Sequence, residues 1–144
     1  PGPRGAGIDK ARTEAIFALH PILHLSGAEA SALSGRDGLD ESLIALYERT
    51  HAPIVATIGE LGARVLLDRD TLATVPGCPS SHVVDTIGAG DAHAGAILLG
   101  LSRGMALVDA AALANRVCAK VVETDGATLS EKDFAALGLR EDRR

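Results

Sequence analysis

Asp85-Thr86-Ile87-Gly88-Ala89-Gly90-Asp91 runs directly into Ala92-His93-Ala94-Gly95-Ala96, so three small residues sit where an apolar helix begins. The amides of a first helical turn have no intrahelical acceptor. With no large side chain at Gly88, Ala89 or Gly90, an anion can reach those amides closely, and the helix dipole adds partial positive charge. In physical terms this is a phosphate or oxyanion site. Asp91 stands just behind it, placed to accept a proton from a hydroxyl that attacks a bound phosphate. The plainer reading of Asp91 is a helix cap that complements the dipole. Two other glycine motifs fail. The P-loop needs a Gly-Lys pair, and no lysine follows a glycine here. The G-x-G-x-x-G spacing, counted from Gly88 and Gly90, meets His93 at its third position.

Outward from this turn, strand-like and helix-like segments alternate. Upstream, Pro1 to Gly7 reads as loop and Ile8 to His20 as a surface helix, with Ile8, Ala11, Ala15, Ile16 and Leu19 near helical spacing. Ile22 to Leu25 is a short apolar strand, followed by a helix over Ala28 to Leu33 that Gly35 closes. Asp40 to Arg49 is a second surface helix with Leu43, Ile44, Leu46 and Tyr47 on one side. Strands follow at Ile54–Ile58, Ala63–Leu67 and Thr71–Val75, and the four residues between the first two predict a hairpin. Downstream, Ala92–Leu101 reads as a buried helix, Leu107–Val122 as a long Ala-rich one, and Thr124–Ala127 as a turn. Glu131–Leu137 is a last short helix. The alternation predicts an α/β class with a mixed sheet.

Composition narrows the function classes. The 144 residues carry a net charge of −5, 47% hydrophobic residues and 2% aromatics. Acidic balance and the lack of aromatic stacking platforms argue against nucleic acid as a partner. No apolar run reaches the ~18 residues of a membrane helix, so no membrane partner is expected. Cys78 and Cys118 form no CxxC pair and are expected as free thiols of a reducing compartment. The five histidines make no HExxH and read as surface or hydrogen-bonded core residues. The start at Pro1, in Pro-Gly-Pro-Arg without a methionine, is what a fragment would show.

The D-T-x-G-A-G-D core with its downstream small residues resembles the C-terminal signature of the ribokinase-like (PfkB) carbohydrate kinases. Other segments agree in order. Leu25-Ser26-Gly27-Ala28-Glu29-Ala30 resembles the family's N-x-x-E-A segment, with Ser26 in place of Asn. Thr57-Ile58-Gly59-Glu60-Leu61-Gly62 resembles its T-x-G-x-x-G phosphate loop, and Thr124-Asp125-Gly126-Ala127 its closing turn. His93 departs from an aromatic, often Phe, at that position. The likeness runs from about Pro1 to Ser130, and Pro1–Arg4 itself resembles the stretch after the family's D-P strand.

The resemblance implies a three-layer α/β/α fold with a mostly parallel central sheet, here only its C-terminal, nucleotide-binding half over residues 1–144. The N-terminal half, which carries the sugar-binding residues and the lid, would be absent. It implies ATP-dependent phosphoryl transfer to a hydroxyl of a sugar, nucleoside or similar alcohol, in the cytoplasm. Asp91 would be the base, and Gly88, Ala89 and Gly90 the anion hole. Ser26, Thr57, Gly59, Glu60, Leu61, Gly62, Gly90 and Asn115 would contact the nucleotide, with Asn115 flanking the adenine. Glu29 would help organise Mg²⁺. Asp85, Ile87, Val121, Thr124, Gly126 and Ser130 would surround a monovalent cation such as K⁺, largely through backbone carbonyls. Each has a plainer counterpart: a tight hairpin for Thr57–Gly62, an interhelix hydrogen bond for Asn115, a solvent-facing Glu29, an Asp85 that ties down its turn. The implied partners are the missing half and, for many relatives, a second copy in a homodimer. A nucleotide-binding module without catalysis and an inactive structural fragment are the two rival readings.

Overall fold

The computed structural model describes residues 9–140. The loop expected over Pro1–Gly7 and the helix start at Ile8 lie outside them.

Short runs of β-branched and apolar residues build a four-stranded sheet in the order β1 (Leu23–Ser26), β2 (Ile54–Thr57), β3 (Gly62–Asp68), β4 (Thr71–Pro76). β1 and β2 are parallel, with Leu23 opposite Ile54 and Ser26 opposite Thr57. The β2–β3 and β3–β4 pairs are antiparallel, the first being the expected hairpin. The sheet is therefore mixed. The mostly parallel pairing that the resemblance implies is carried within these strands by β1–β2 alone. The reason is the short connections: four residues link β2 to β3, three of them as a 3₁₀ turn over Gly59–Leu61, and a crossover needs a dozen or more.

Strand alternation sends side chains to two helical layers. Ile54, Ala56 and Leu66 pack with Phe17, Leu43 and Leu46 beneath α1 (Lys10–Phe17), α2 (Gly27–Ser34) and α3 (Leu39–Thr50). Val55, Val65 and Val75 pack with Ile97, Ala110, Leu113 and Val117 beneath α4 (Ala89–Ser102) and α5 (Leu107–Val121). The three layers expected are present. α4 and α5 touch most closely at Gly100, where an added Cβ would lie 2.8 Å from that of Ala110. The short α6 (Glu131–Ala136) follows a 3₁₀ turn over Asp125–Ala127.

Three expectations need correction. The apolar face drawn for α1 is not buried: Ile16 and Leu19 are exposed, and Phe17 is the residue the helix buries, under the Arg49 guanidinium. That helix also stops at Phe17, because His20 takes a left-handed backbone (φ 53°) to turn into β1. α4 starts three residues before Ala92, because Gly88 adopts φ 77° and becomes its N-cap. Nor is α4 apolar-faced all round: Leu98 is exposed.

Candidate functional site

The N-terminus of α4 follows from the glycine at position 88. Its left-handed backbone is one that side chains rarely adopt, and a Cβ there would sit 2.7 Å from that of Ala127. Asp85 Oδ1 accepts a 2.8 Å hydrogen bond from the Ile87 amide and ties down the approach. The Ala89 amide donates to Thr86 O and Ala92 donates to Gly88 O, whereas no backbone carbonyl among the described residues accepts from Gly90 or Asp91. Those two amides are the unengaged donors of the turn. The space that a Cβ of Gly90 would enter is open to 4 Å. Gly88 makes no side-chain cap bond, and Asp91 lies in the first turn with its carboxylate exposed and without a hydrogen bond from the described residues. The capping role for Asp91 is thus set aside.

This helix start opens on a cleft of about 410 Å³ between the β2–β3 turn, the end of β4, and the α4–α5 pair. Of the expected nucleotide residues, Thr57, Gly59, Glu60, Gly62, Gly90 and Asn115 line it, as does Ala89. Its turn is built on close backbone approach. A Cβ on Gly62 (φ 104°) would lie 2.2 Å from Val75 O, and one on Gly77 would lie 2.0 Å from Glu60 O. Leu61 points away and is largely exposed.

Ser26 and Glu29 stand apart from the lining and form a capping box at the start of α2. Glu29 Oε2 accepts from the Ser26 amide at 2.7 Å, and Ser26 Oγ accepts from the Glu29 amide at 3.2 Å. These bonds, the backbone one first, hold the Glu29 carboxyl below the usual carboxylate range. The Ser-x-x-Glu spacing before an apolar run is the sequence signal for such a box, and it was legible beside the nucleotide reading. Ser130 and Asp133 repeat the device at α6.

Asn115 lines the cleft, but its amide is fully engaged. Nδ2 donates to Val75 O at 3.1 Å and Pro76 O at 2.9 Å, and Oδ1 meets His93 Nε2 at 3.0 Å. His93 Nδ1 meets His24 Nε2 at 2.8 Å. Burial lowers the pKa of both rings. His93 is a hydrogen-bonded core residue, as expected, and also a wall of the cleft that the spacing of residues did not announce. Cys78 and Cys118 are free and both line the cleft; burial pushes the Cys118 thiol up to about 11.

Of the oxygens expected around a monovalent cation, four have a donor already, and the Ile87 and Thr124 carbonyls accept from none of the described residues. Asp85 takes Ile87, Val121 O takes the Thr124 amide and hydroxyl, Gly126 O takes Thr128 Oγ1, and Ser130 Oγ takes the Asp133 amide. A carbonyl oxygen has two lone pairs, so Gly126 O keeps capacity for an ion, whereas Val121 O, with two donors, does not. No group of three or more His, Cys, Asp or Glu able to hold a metal occurs among the described residues. None of the described helices is long and apolar enough to cross a membrane.

Fold and site together define an α/β unit: a mixed sheet between two helical layers, with an open helix N-terminus on a cleft whose lining includes Gly90 but not Asp91. The chain belongs to the pfkB family of carbohydrate kinases, whose model matches residues 4–133. It is 37% identical over 125 residues to the uncharacterized sugar kinase YegV of Escherichia coli, covering 84% of this chain and 38% of that protein. Adenosine kinase from Sinorhizobium meliloti superposes with a TM-score of 0.76 at 25% identity, covering 90% of this chain and 41% of that one. Ribokinase of Arabidopsis thaliana, solved with ribose and ATP, superposes at 0.69 and 18% identity, covering 81% and 40%. The chain therefore spans well under half the length of these relatives, and it has the ribokinase-like fold over that span.

Proposed function

We propose that this chain is the nucleotide-binding part of an ATP-dependent kinase that phosphorylates a hydroxyl of a sugar, nucleoside or related small alcohol. One observation carries the reading. α4 begins with unengaged amides at Gly90 and Asp91, nothing within 4 Å of the Gly90 Cβ direction, and an unpaired carboxylate at Asp91. The amides stabilise charge on the transferring phosphoryl group, as oriented donors and a helix dipole do without reorganisation. Asp91 takes the proton of the acceptor hydroxyl as the new P–O bond forms and the bond to the ADP oxygen breaks. Val83, Ala119 and Val122 provide an apolar wall of the cleft against which a base can lie. Asn115 then acts on the adenine side through shape, because its amide is engaged elsewhere.

Mg²⁺ bound with the nucleotide would neutralise phosphate charge. Glu29 offers it one oxygen not held in the capping box, and the phosphates supply the rest. A monovalent cation is proposed among the carbonyls of Ile87, Thr124 and Gly126, which keep free lone pairs. The acceptor-binding residues are expected in the part of the family fold that this chain does not contain, and a cytoplasmic location is in keeping with two free thiols. The test is ADP release with Mg-ATP, K⁺ and a panel of sugars and nucleosides. It uses a polypeptide that carries this chain together with the rest of the family fold, wild type against Asp91→Asn. Substrate-dependent turnover in the wild type alone supports the reading; equal turnover in both removes Asp91 from the mechanism.

A further inference from the structure

Buried polar side chains usually serve one neighbour each, yet here two buried ones and the half-buried His24 form an unbroken line through the molecule. His24 on β1, His93 on α4 and Asn115 on α5 connect the far edge of the sheet to the Val75 and Pro76 carbonyls at the end of β4. His93 and Asn115 are 2% and 5% exposed. Hydrogen-bond chemistry gives this line a direction. The Asn115 amide nitrogen faces two carbonyls, so both its protons are donated and its oxygen must accept. His93 must therefore carry its proton on Nε2 and present a bare Nδ1. His24 must then donate from Nε2. Reversing either ring would set two donors, or two lone pairs, against each other in a buried site, a cost of about one lost hydrogen bond or more.

The line begins at His24, outside the cleft, passes through His93 and Asn115 in its wall, and ends beside Gly77 on the other wall. Pro76 precedes Gly77, whose backbone packs on Glu60 and closes the β2–β3 turn. His93 lies one helical turn beyond Gly90. We propose that His24, His93 and Asn115 form a one-directional positioning relay that sets the spacing between the α4 anion turn and the β4 end, and so the nucleotide affinity of the cleft. His24 does not line that cleft and acts only through His93. The surroundings leave the relay to these groups. Val55, Val65 and Ala73 continue the sheet row beside His24 without charge. Glu29 on α2 acts on His24 from the strand end, the Cys118 thiol is the titratable group α5 brings to the cleft, and Asp91 on α4 is exposed. The link to affinity rests on the nucleotide reading of the cleft; the ring tautomers do not.

The experiment pairs ¹⁵N imidazole shifts with Mg-ATP titrations of a polypeptide that carries this chain together with the rest of the family fold. His93 is expected as the Nε2–H tautomer with Nδ1 unprotonated at pH 7–8. His24→Leu is expected to weaken Mg-ATP about fivefold, the worth of one hydrogen bond. His24→Gln keeps a donor towards Nδ1 and is expected to restore wild-type affinity. Adding His24→Leu to Asn115→Leu should cost nothing further. An Nδ1–H tautomer at His93 overturns the relay, as does unchanged affinity in folded His24→Leu, or additive losses. If the wild type binds no Mg-ATP, the nucleotide reading fails by itself, and the His93 tautomer alone decides the relay.

Discussion

Asp91 separates chemistry from binding at the scale of one residue. Its carboxylate has no structural partner among the described residues, so Asp91→Asn removes a base without disturbing the turn. The expected outcome is a loss of turnover of ~10²–10⁴ with Mg-ATP affinity nearly unchanged, read by steady-state kinetics beside a nucleotide titration. The glycines divide in the same way. Gly90 faces open space, so Gly90→Val is tolerated by the fold and blocks the approach of a phosphate to the amides. Its melting temperature should stay near wild type while Mg-ATP affinity falls. Gly62 is the opposite case. Its φ of 104° and the 2.2 Å approach to Val75 O make Gly62→Ala a fold mutation, costing about 1–3 kcal/mol. Chemical denaturation of the two variants distinguishes a ligand-facing glycine from a structural one.

Elements at the site are held in place by their ends. Glu123, just past α5, accepts from Lys120 at 2.9 Å and from the Ser81 amide at 2.6 Å and hydroxyl at 2.9 Å; these bonds drive its pKa down to about 2. With Val84 and Asp85 donating to Val122 O, this straps the segment before the glycine turn onto α5. β1 and α4 are joined by the His24–His93 contact, and burial lowers both pKa values below 6.5. Below pH 6.5 the unfolded rings bind protons that the folded rings resist, so the unfolded state holds more protons and stability falls as pH falls. The contribution is complete above that pH and is lost down to the depressed folded values. Urea midpoints measured from pH 7.5 to 5 should fall below 6.5 in the wild type. A double His24→Leu, His93→Phe variant should show a flatter profile; identical slopes would assign the fall to other groups.

As a whole, the described residues present two sheet edges, β1 and β4, and exposed apolar residues near the first. β1 ends the sheet, and Ile16, Leu19 and Ile22 beside it are exposed. An unpaired strand edge with apolar surface favours association. On the proposed reading the α4 start would supply phosphate donors and a base, whereas holding a hydroxyl in line with a phosphate is worth ~7–11 kcal/mol and needs a second wall. We therefore expect the 144 residues alone to show weak Mg-ATP binding and self-association, with no turnover on any sugar or nucleoside. Light scattering and an ADP-release screen check this. Robust substrate-dependent turnover would place an acceptor site within these residues.

The amino-acid sequence by itself determined the order of elements, the anion turn and the family, because those rest on local rules. A glycine between Ile87 and Ala89, small residues at a helix start, and short apolar runs in β2 and β3 all act within a few positions of themselves. It did not determine which polar residues the fold would engage. Ser26 and Glu29 close a capping box, and Asn115 turns its amide to β4 and His93. The apolar spacing of α1 likewise suggested a buried face where the structure leaves Ile16 exposed. The capping box is local and follows the Ser-x-x-Glu spacing, but the Asn115 and His93 bonds need partners 22 to 69 positions away, brought to about 3 Å only when the sheet and its two helical layers assemble. A hydrogen bond is decided by where its partner ends up, and that is a property of the tertiary structure.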